Sequence, residues 1–243
     1  MPAVYGLKGL YNRCMKLVNP TSLKFRGTSY DKINSDDDVV VVDKQEDWTS
    51  HDVVAKIRGE LTRQHGKKIK VGHGGTLDPF ATGLLLILIG EACKRFEEFK
   101  NLDKEYLMEI KLGELTDTGD KTGKVMKEKA VGKLSKKAVK EVLDSFVGEY
   151  DQQVPAYSAV KIKGRKLYDL ARKGQKPRLP FRRVKIMELE LLNLHPATAG
   201  LKVKVNCGSG TYVRSLAVDI GKKLGLPAHA QELRRTKIGE YNL

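Results

Sequence analysis

The sequence predicts an α+β fold: a large, mixed, mostly antiparallel sheet flanked by helices, with a basic insertion. Three observations carry this. Several segments alternate apolar and polar residues with period two, one apolar run has turn signals at both ends, and helical segments fall between strands without steady βαβ alternation. In order, Val39-Val40-Val41-Val42 is a strand by β-branching. Ser50 is expected to cap a helix with Val53, Val54, Ile57 and Leu61 on one face. Leu84 to Ile89 forms a buried strand bounded by Gly90, followed by a short helix near Glu91 to Phe99. Tyr106, Met108, Ile110 and Leu112 alternate with polar neighbours as a half-buried strand. Ser135 starts a helix bearing Val139, Val142, Leu143 and Phe146, which Gly148 is expected to end. Leu201, Val203, Val205 and Cys207 mark another strand, and Gly208-Ser209-Gly210 turns it into a helix carrying Val213, Leu216, Ala217, Ile220 and Leu224.

Charge narrows the partner. The chain has 45 Lys and Arg against 30 Asp and Glu, a formal +15. That balance implies an acidic partner, nucleic acid ahead of anionic membrane. No apolar run reaches the roughly 18 residues a membrane helix needs. Cys14, Cys93 and Cys207 are scattered, with neither disulfide-framework nor zinc-site spacing, so a reducing cytoplasm is the simplest compartment. Residues 1–38 read as a basic extension, acid-free as far as Tyr30 and ending in Asp36-Asp37-Asp38. It serves as an RNA-touching arm, a targeting segment or a loose end. Residues 39–243 form the body.

The chemistry concentrates in Gly72-His73-Gly74-Gly75-Thr76-Leu77-Asp78-Pro79-Phe80-Ala81-Thr82-Gly83. Glycines permit φ > 0 and close approach of a ligand, and Pro79 fixes φ just after a single carboxylate. Such a loop at the lip of a buried strand either displays Asp78 as a catalytic acid or nucleophile, or is a turn whose Asp caps a backbone N–H. A second concentration lies between Lys161 and Lys185, where eleven Lys and Arg are opposed within the segment only by Asp169. Gly164, Gly174, Pro177 and Pro180 make this a mostly irregular excursion with a short helix around Leu167 to Arg172. Lys161, Arg182 and Arg183 suit phosphates, and Tyr157, Tyr168 and Phe181 can stack on bases. Lys222, Lys223, Arg234, Arg235 and Lys237 could extend the same basic face. Tyr106 either stacks on a base or fills the core. Arg214, at a strand-to-helix turn, pairs with a carboxylate or phosphate or is an ordinary surface arginine. The turn Thr116-Asp117-Thr118-Gly119-Asp120 holds a charged partner such as Arg214, or is an Asx-turn.

In this order the motifs resemble the TruB family of tRNA pseudouridine synthases, bacterial type. The matching pieces are Asp43-Lys44, Thr49-Ser50-His51-Asp52, the loop from Gly72 to Gly83, Lys104-Glu105-Tyr106 and Thr116 to Asp120. Val154-Pro155-Ala156-Tyr157-Ser158-Ala159-Val160-Lys161, Gly164-Arg165-Lys166-Leu167-Tyr168, Gly210-Thr211-Tyr212-Val213-Arg214-Ser215 and Leu233-Arg234-Arg235 follow. The resemblance spans about residues 39–239. It implies the pseudouridine synthase fold and isomerisation of one uridine, conventionally position 55, in the T arm of tRNA. It implies neither metal nor organic cofactor; no membrane partner and a monomer are expected beside it. Uracil must leave ribose at N1 and rejoin through C5, which calls for a carboxylate able to attack C6 of the base or C1′ of the sugar. The target base must be flipped out of its stack. By resemblance Asp78 is the nucleophile, His73 fills the space the base vacates, and Tyr106 stacks on the ring and assists proton removal from C5. Tyr212 and Leu233 line the pocket, Arg214 pairs with Asp78, and Asp117 helps order the network. The excursion at about 152–183 corresponds to the RNA-gripping thumb.

The sequence departs from the family pattern in places. Gly74-Gly75 replaces the usual Thr-Gly or Ser-Gly, which is expected to loosen the loop. The segment 43–48 lacks the usual Pro and Gly, leaving the role of Lys44 open, and a protein without the C-terminal RNA-binding (PUA) domain of many relatives is expected. Two other readings stand beside the resemblance: an RNA-binding protein or tRNA chaperone on the same fold, and a synthase for another RNA.

Overall fold

The computed structural model describes residues 17–18, 33–162, 164–175, 177–195 and 199–243. The expectations for the N-terminal extension up to residue 32 otherwise lie outside the described residues, as do those for Lys163 and Lys176 of the basic excursion. The fold is α+β, and the residues cluster into two compact units.

The first unit contains β1 (Leu17–Val18), β2 (Asp37–Lys44), α1 (Ser50–His65), β3 (Val71–His73) and most of β4 (Thr82–Gly90). A 3₁₀ turn, Glu91–Arg95, leads into α2 (Phe96–Asn101). β4 pairs antiparallel with β2 and β3, and β1 lies parallel to β2. All side chains from Gly83 to Ile89 are buried, as a continuous apolar run requires when both faces are covered. α1 lays Val53, Val54, Ile57 and Leu61 into a core with Val40, Val42, Leu85, Ile87 and Ile89. Each such side chain contributes about 1.5–3 kcal/mol.

The cap of α1 is Thr49, not Ser50. Thr49 has extended φ/ψ, its hydroxyl accepts the Asp52 N–H at 3.0 Å, and the Asp52 carboxylate accepts the Thr49 N–H at 2.8 Å. The hydrogen bonds from the Thr49 side chain and backbone hold the Asp52 carboxyl below its ordinary value. Ser50 is buried and serves elsewhere.

The second unit orders its strands β13-β5-β12-β11-β8, antiparallel throughout. They are β5 (Lys104–Leu112), β8 (Gly148–Gln153), β11 (Phe181–His195), β12 (Gly200–Cys207) and β13 (Ala228–Ile238). A hairpin, β6 (Glu114–Thr116) with β7 (Val125–Glu128), follows β5, and β14 (Tyr241–Asn242) folds back on β13. β5 alternates buried and half-buried residues over its whole length. α3 (Lys136–Asp144) packs on β11 and α5 (Val213–Lys223) on β13. α3 ends at Asp144, capped by Ser145, while Gly148 takes φ +109° at the start of β8 instead of closing the helix. At Gly221 a Cβ would stand 2.3 Å from that of Ala228, so only glycine lets α5 lie this close to β13.

The basic excursion is more ordered than its Gly and Pro breaks suggest. β8 and β11 stay paired through Gln153 opposite Phe181, and the Val154 N–H donates to the Pro180 carbonyl at 2.9 Å. The loop therefore closes at 154 and 180. Inside it β9 (Lys161–Ile162) and β10 (Arg165–Lys166) form a hairpin leading into α4 (Leu167–Arg172). Val154, Leu167 and Leu170 build a small core of its own, with Val160, Ile162, Leu179 and Tyr212 packed around it.

Asp219 on α5 accepts a hydrogen bond from the Tyr150 hydroxyl at 3.4 Å. Burial pushes its carboxyl up from 3.8 to about 6, with Tyr150 and Lys222 opposing the rise. Because the native state then binds the proton more tightly than the unfolded chain, stability falls as pH rises from about 3.8 to 6, and the penalty is complete above that window. Asp219→Asn is expected to stabilise the protein by about 1 kcal/mol at neutral pH, the carboxyl being partly open to solvent, and by much less near pH 4. Urea melts at both pH values test this, and destabilisation at neutral pH contradicts it.

Candidate active site

The loop bearing Asp78 is braced from both sides. On one side the Ser50 hydroxyl accepts the Leu77 N–H at 2.9 Å and donates to the Leu77 carbonyl at 3.2 Å. On the other, the Pro79 carbonyl accepts the Asp47 N–H at 3.0 Å and the Lys44 ammonium at 3.1 Å. Lys44 is completely buried, and its Nζ also donates to the carbonyls of Trp48 at 2.8 Å and Gln45 at 2.9 Å. One ammonium thus draws three carbonyls together, one of them belonging to the residue after Asp78. Asp78 itself is half-buried between buried Leu77 and exposed Pro79.

Gly74-Gly75 does not loosen this loop. The Gly74 N–H donates to the Leu86 carbonyl at 2.8 Å, and a Cβ at Gly74 would meet the Phe99 Cβ at 2.9 Å. The position is pinned and too close-packed for a larger residue. His73 ends β3 half-buried, and its Nδ1 accepts the Gly75 N–H at 3.3 Å.

In the second unit Arg214 lies in the first turn of α5, 6% exposed. Its guanidinium pairs with the Asp120 carboxylate at 3.3 Å and donates to the Tyr157 carbonyl. Asp120 is 2% exposed and also accepts Thr122 N–H at 3.0 Å, the Thr122 hydroxyl at 2.6 Å and the Thr118 hydroxyl at 2.9 Å. Main-chain bonds of Lys121 and Gly119 to Ala230 stitch this turn to β13. Asp117 takes a different place. It is exposed and accepts the Lys124 N–H at 2.8 Å and the Tyr157 hydroxyl at 3.4 Å. Burial, then the Asp117 carboxylate beside it, raises the Tyr157 phenol.

Tyr106 is buried, opposite Val205 on one side and Arg235 on the other. Leu233 stands opposite Met108. Tyr106, Met108, Leu233 and Arg235 therefore share one face of the sheet. Arg235 is 1% exposed and cannot join a phosphate-binding surface, a correction to the second basic cluster. Lys223 in the same cluster donates to the Ser145 hydroxyl at 2.6 Å and lies 4.6 Å from the centre of the Phe146 ring.

Lys161, Arg182 and Arg183 are exposed. The excursion contributes only Asp169 as an acid, but the β8–β11 ladder sets Asp151 opposite Arg183 with Glu149 nearby. Arg183 binds Glu149 at 3.3 Å and Asp151 at 3.5 Å, and these contacts raise its already high pKa. Arg182 makes no ion pair among the described residues.

Sequence reasoning gave Lys44 no role and treated Ser50 as a helix cap. Their signal was present as a Lys just before a capping box and a Ser within it, but their partners lie up to 35 residues away.

Comparison with known proteins gives this geometry its context. The description "TruB family pseudouridylate synthase (N terminal domain)" matches residues 62–213, and "tRNA pseudouridylate synthase B C-terminal domain" matches residues 214–243. The chain belongs to the TruB family of pseudouridylate synthases. A relative in Parabacteroides distasonis named tRNA pseudouridine synthase B is 44% identical over 85% of this chain and 87% of its own length. One of the same name in Thermotoga maritima is 44% identical over 84% of this chain and 64% of its own. Among solved structures, a Cbf5-Nop10-Gar1 complex matches with TM-score 0.61 and 29% identity over 84% of this chain and 49% of that chain. The TruB-family assignment makes this chain an isomerase that forms pseudouridine. Among the described residues no group of three or more His, Cys, Asp or Glu is placed to hold a metal ion. No described helix is long and apolar enough to cross a membrane, a statement that does not extend to β-barrels.

Proposed function

We propose that the chain is a tRNA pseudouridine-55 synthase acting on the T arm, with Asp78 as its nucleophile. The observation that carries this reading is a single half-buried carboxylate on a loop braced by Ser50 and Lys44, in a chain 44% identical to proteins named tRNA pseudouridine synthase B. The reaction is balanced within the substrate. The N1–C1′ bond breaks, the uracil turns, a C5–C1′ bond forms, C5 loses its proton and N1 gains one. Asp78 supplies the electron pair for a transient bond to C6 of the base or to C1′ of the ribose, and takes it back when that bond breaks to release the product. A stacked base is out of reach, so the uridine is flipped into the protein. Tyr106 stacks on it and helps remove the C5 proton, Tyr212 and Leu233 line its pocket, and His73 takes the vacated place in the RNA stack. Arg214 keeps the catalytic carboxylate ionised, and Asp117 supports this network together with Asp120, which holds Arg214.

Position-resolved mapping of pseudouridine in an unmodified tRNA transcript tests the reading. Conversion of one T-arm uridine at position 55, as the family resemblance implies, is the expected result. Tight binding without conversion supports the chaperone alternative, and conversion elsewhere supports a synthase for another RNA.

Lys161, Arg182 and Arg183 are proposed phosphate contacts, of unequal weight. A phosphate must compete with Glu149 and Asp151 for Arg183 but not for Arg182. Arg182→Ala is expected to lower the slope of log affinity against log salt by about 1, and Arg183→Ala by less. Equal slopes for both variants and the parent remove these residues from the phosphate-contacting set.

A further inference from the structure

Gln152 is 1% exposed near the end of β8. Its side-chain amide is committed to two tyrosines. Oε1 accepts the Tyr212 N–H at 2.8 Å, while Nε2 donates to the Tyr212 carbonyl at 3.1 Å and to the Tyr150 hydroxyl at 2.6 Å. Both peptide groups of one residue are thus held by one side chain, as a neighbouring strand would hold them.

The residue so held is unusual. Tyr212 stands extended, φ −92° and ψ 98°, immediately before α5, and its side chain makes no capping hydrogen bond there. Its side chain packs against Val154, Leu167 and Leu170, the small core of the basic excursion. Two residues further on, Arg214 enters its bonds to Asp120 and Tyr157. Gln152 sits opposite Arg182, at the neck of the same excursion. Packing alone does not call for an amide here. A leucine would fill a similar volume without burying polar atoms. The Tyr212 carbonyl also accepts the Leu216 N–H at 3.1 Å, so the bond that depends on the amide is the one to the Tyr212 N–H. Only a side chain that donates and accepts at once can grip both peptide groups, and Asn is one methylene shorter.

We propose that Gln152 is a positioning residue of the isomerase. It fixes the main chain of Tyr212, so that the Tyr212 ring and the Arg214 guanidinium keep one orientation, and it ties that orientation to the neck of the RNA-binding excursion. The proposal rests on the functional reading above. Gln152 touches neither base nor sugar, so its effect falls on the chemical step rather than on tRNA affinity, which the exposed basic residues supply.

Two variants and two measurements test this on the full chain. Gln152→Leu removes the whole clamp. Gln152→Glu retains an acceptor for the Tyr212 N–H and loses the donation to its carbonyl, and serves if the leucine variant does not fold. Single-turnover conversion of tRNA is expected to slow by roughly 10–100-fold in Gln152→Leu and by less in Gln152→Glu, with the tRNA Kd changed by less than about twofold. Hydrogen exchange at the Tyr212 amide is expected to quicken by about tenfold or more while the remaining core amides keep their protection. Faster exchange with an unaltered rate overturns the positioning role. Unaltered exchange overturns the clamp. A rate loss matched by an equal loss of tRNA affinity assigns Gln152 to binding and also overturns the proposal. If the parent chain makes no pseudouridine, the functional reading fails and the positioning role with it, whereas the exchange measurement still decides the clamp.

Discussion

Asp78→Asn is expected to abolish pseudouridine formation, by about 10⁴-fold or more, while tRNA affinity stays within about twofold. The amide has the carboxylate's size and its one oxygen still accepts, and the bracing bonds fall on the neighbouring main chain, so the loop is expected to hold its place. It lacks the anionic oxygen that must attack carbon. The flanking anchors act on Leu77 and Pro79, not on the Asp78 side chain, so they survive the substitution. Single-turnover assays on a tRNA transcript with parallel filter binding check both halves. Turnover within about tenfold of the parent sinks the nucleophile assignment. Lost affinity alongside lost turnover shifts Asp78 toward a binding role.

Lys44→Met is expected to combine a stability loss of about 3 kcal/mol with a rate loss of about 100-fold. Methionine keeps the length of the stem but none of its donors. The carbonyls of Gln45, Trp48 and Pro79 then lose their shared partner, and of the three Pro79 retains the Asp47 N–H. Leaving part-buried acceptors without their shared donor, at a site where the lysine stem itself is fully buried, accounts for the stability term. Drift of Pro79 carries Asp78 with it, and a shift near 1 Å accounts for the rate term. Lys44→Arg is not expected to rescue either, because a planar fork cannot converge on three carbonyls as a tetrahedral ammonium does. Thermal melting and single-turnover rates read the two terms separately. A variant with parental rate shows that the brace serves stability alone.

Much of this was legible in the chain. The alternation from Tyr106 to Leu112 and from Leu201 to Cys207 became strands, and the continuous run from Leu84 became a fully buried one. What failed depended on partners distant in sequence. Thr49 and Ser50 both suit a helix cap, and the choice is settled by Leu77, 27 residues away, which engages the Ser50 hydroxyl. Gly148 looked like a helix stop because glycine also favours the conformation that opens β8. Arg183 seemed unopposed because its acids arrive across a strand ladder. The burial of Arg235 was accessible from period two, since Leu233 two residues earlier points to the same face, but the local density of basic residues suggested an outward role. On the Asp78 loop, glycine and proline announced a fixed shape, while the lysine that fixes it could not be recognised without the carbonyls it gathers.

The meeting of residues 154 and 180 through one main-chain hydrogen bond has a practical corollary. The segment between them behaves as a cassette with a single point of entry: it carries its own apolar centre, and its removal would leave the β8–β11 pairing to be closed by a short reverse turn. If the segment grips RNA as proposed, grafting a cassette of another length or charge onto this neck is a route to retargeting the protein among RNAs, with two conditions attached: any replacement must present an apolar seat for the ring of Tyr212 and an acceptor for the Arg214 guanidinium in place of the Tyr157 carbonyl.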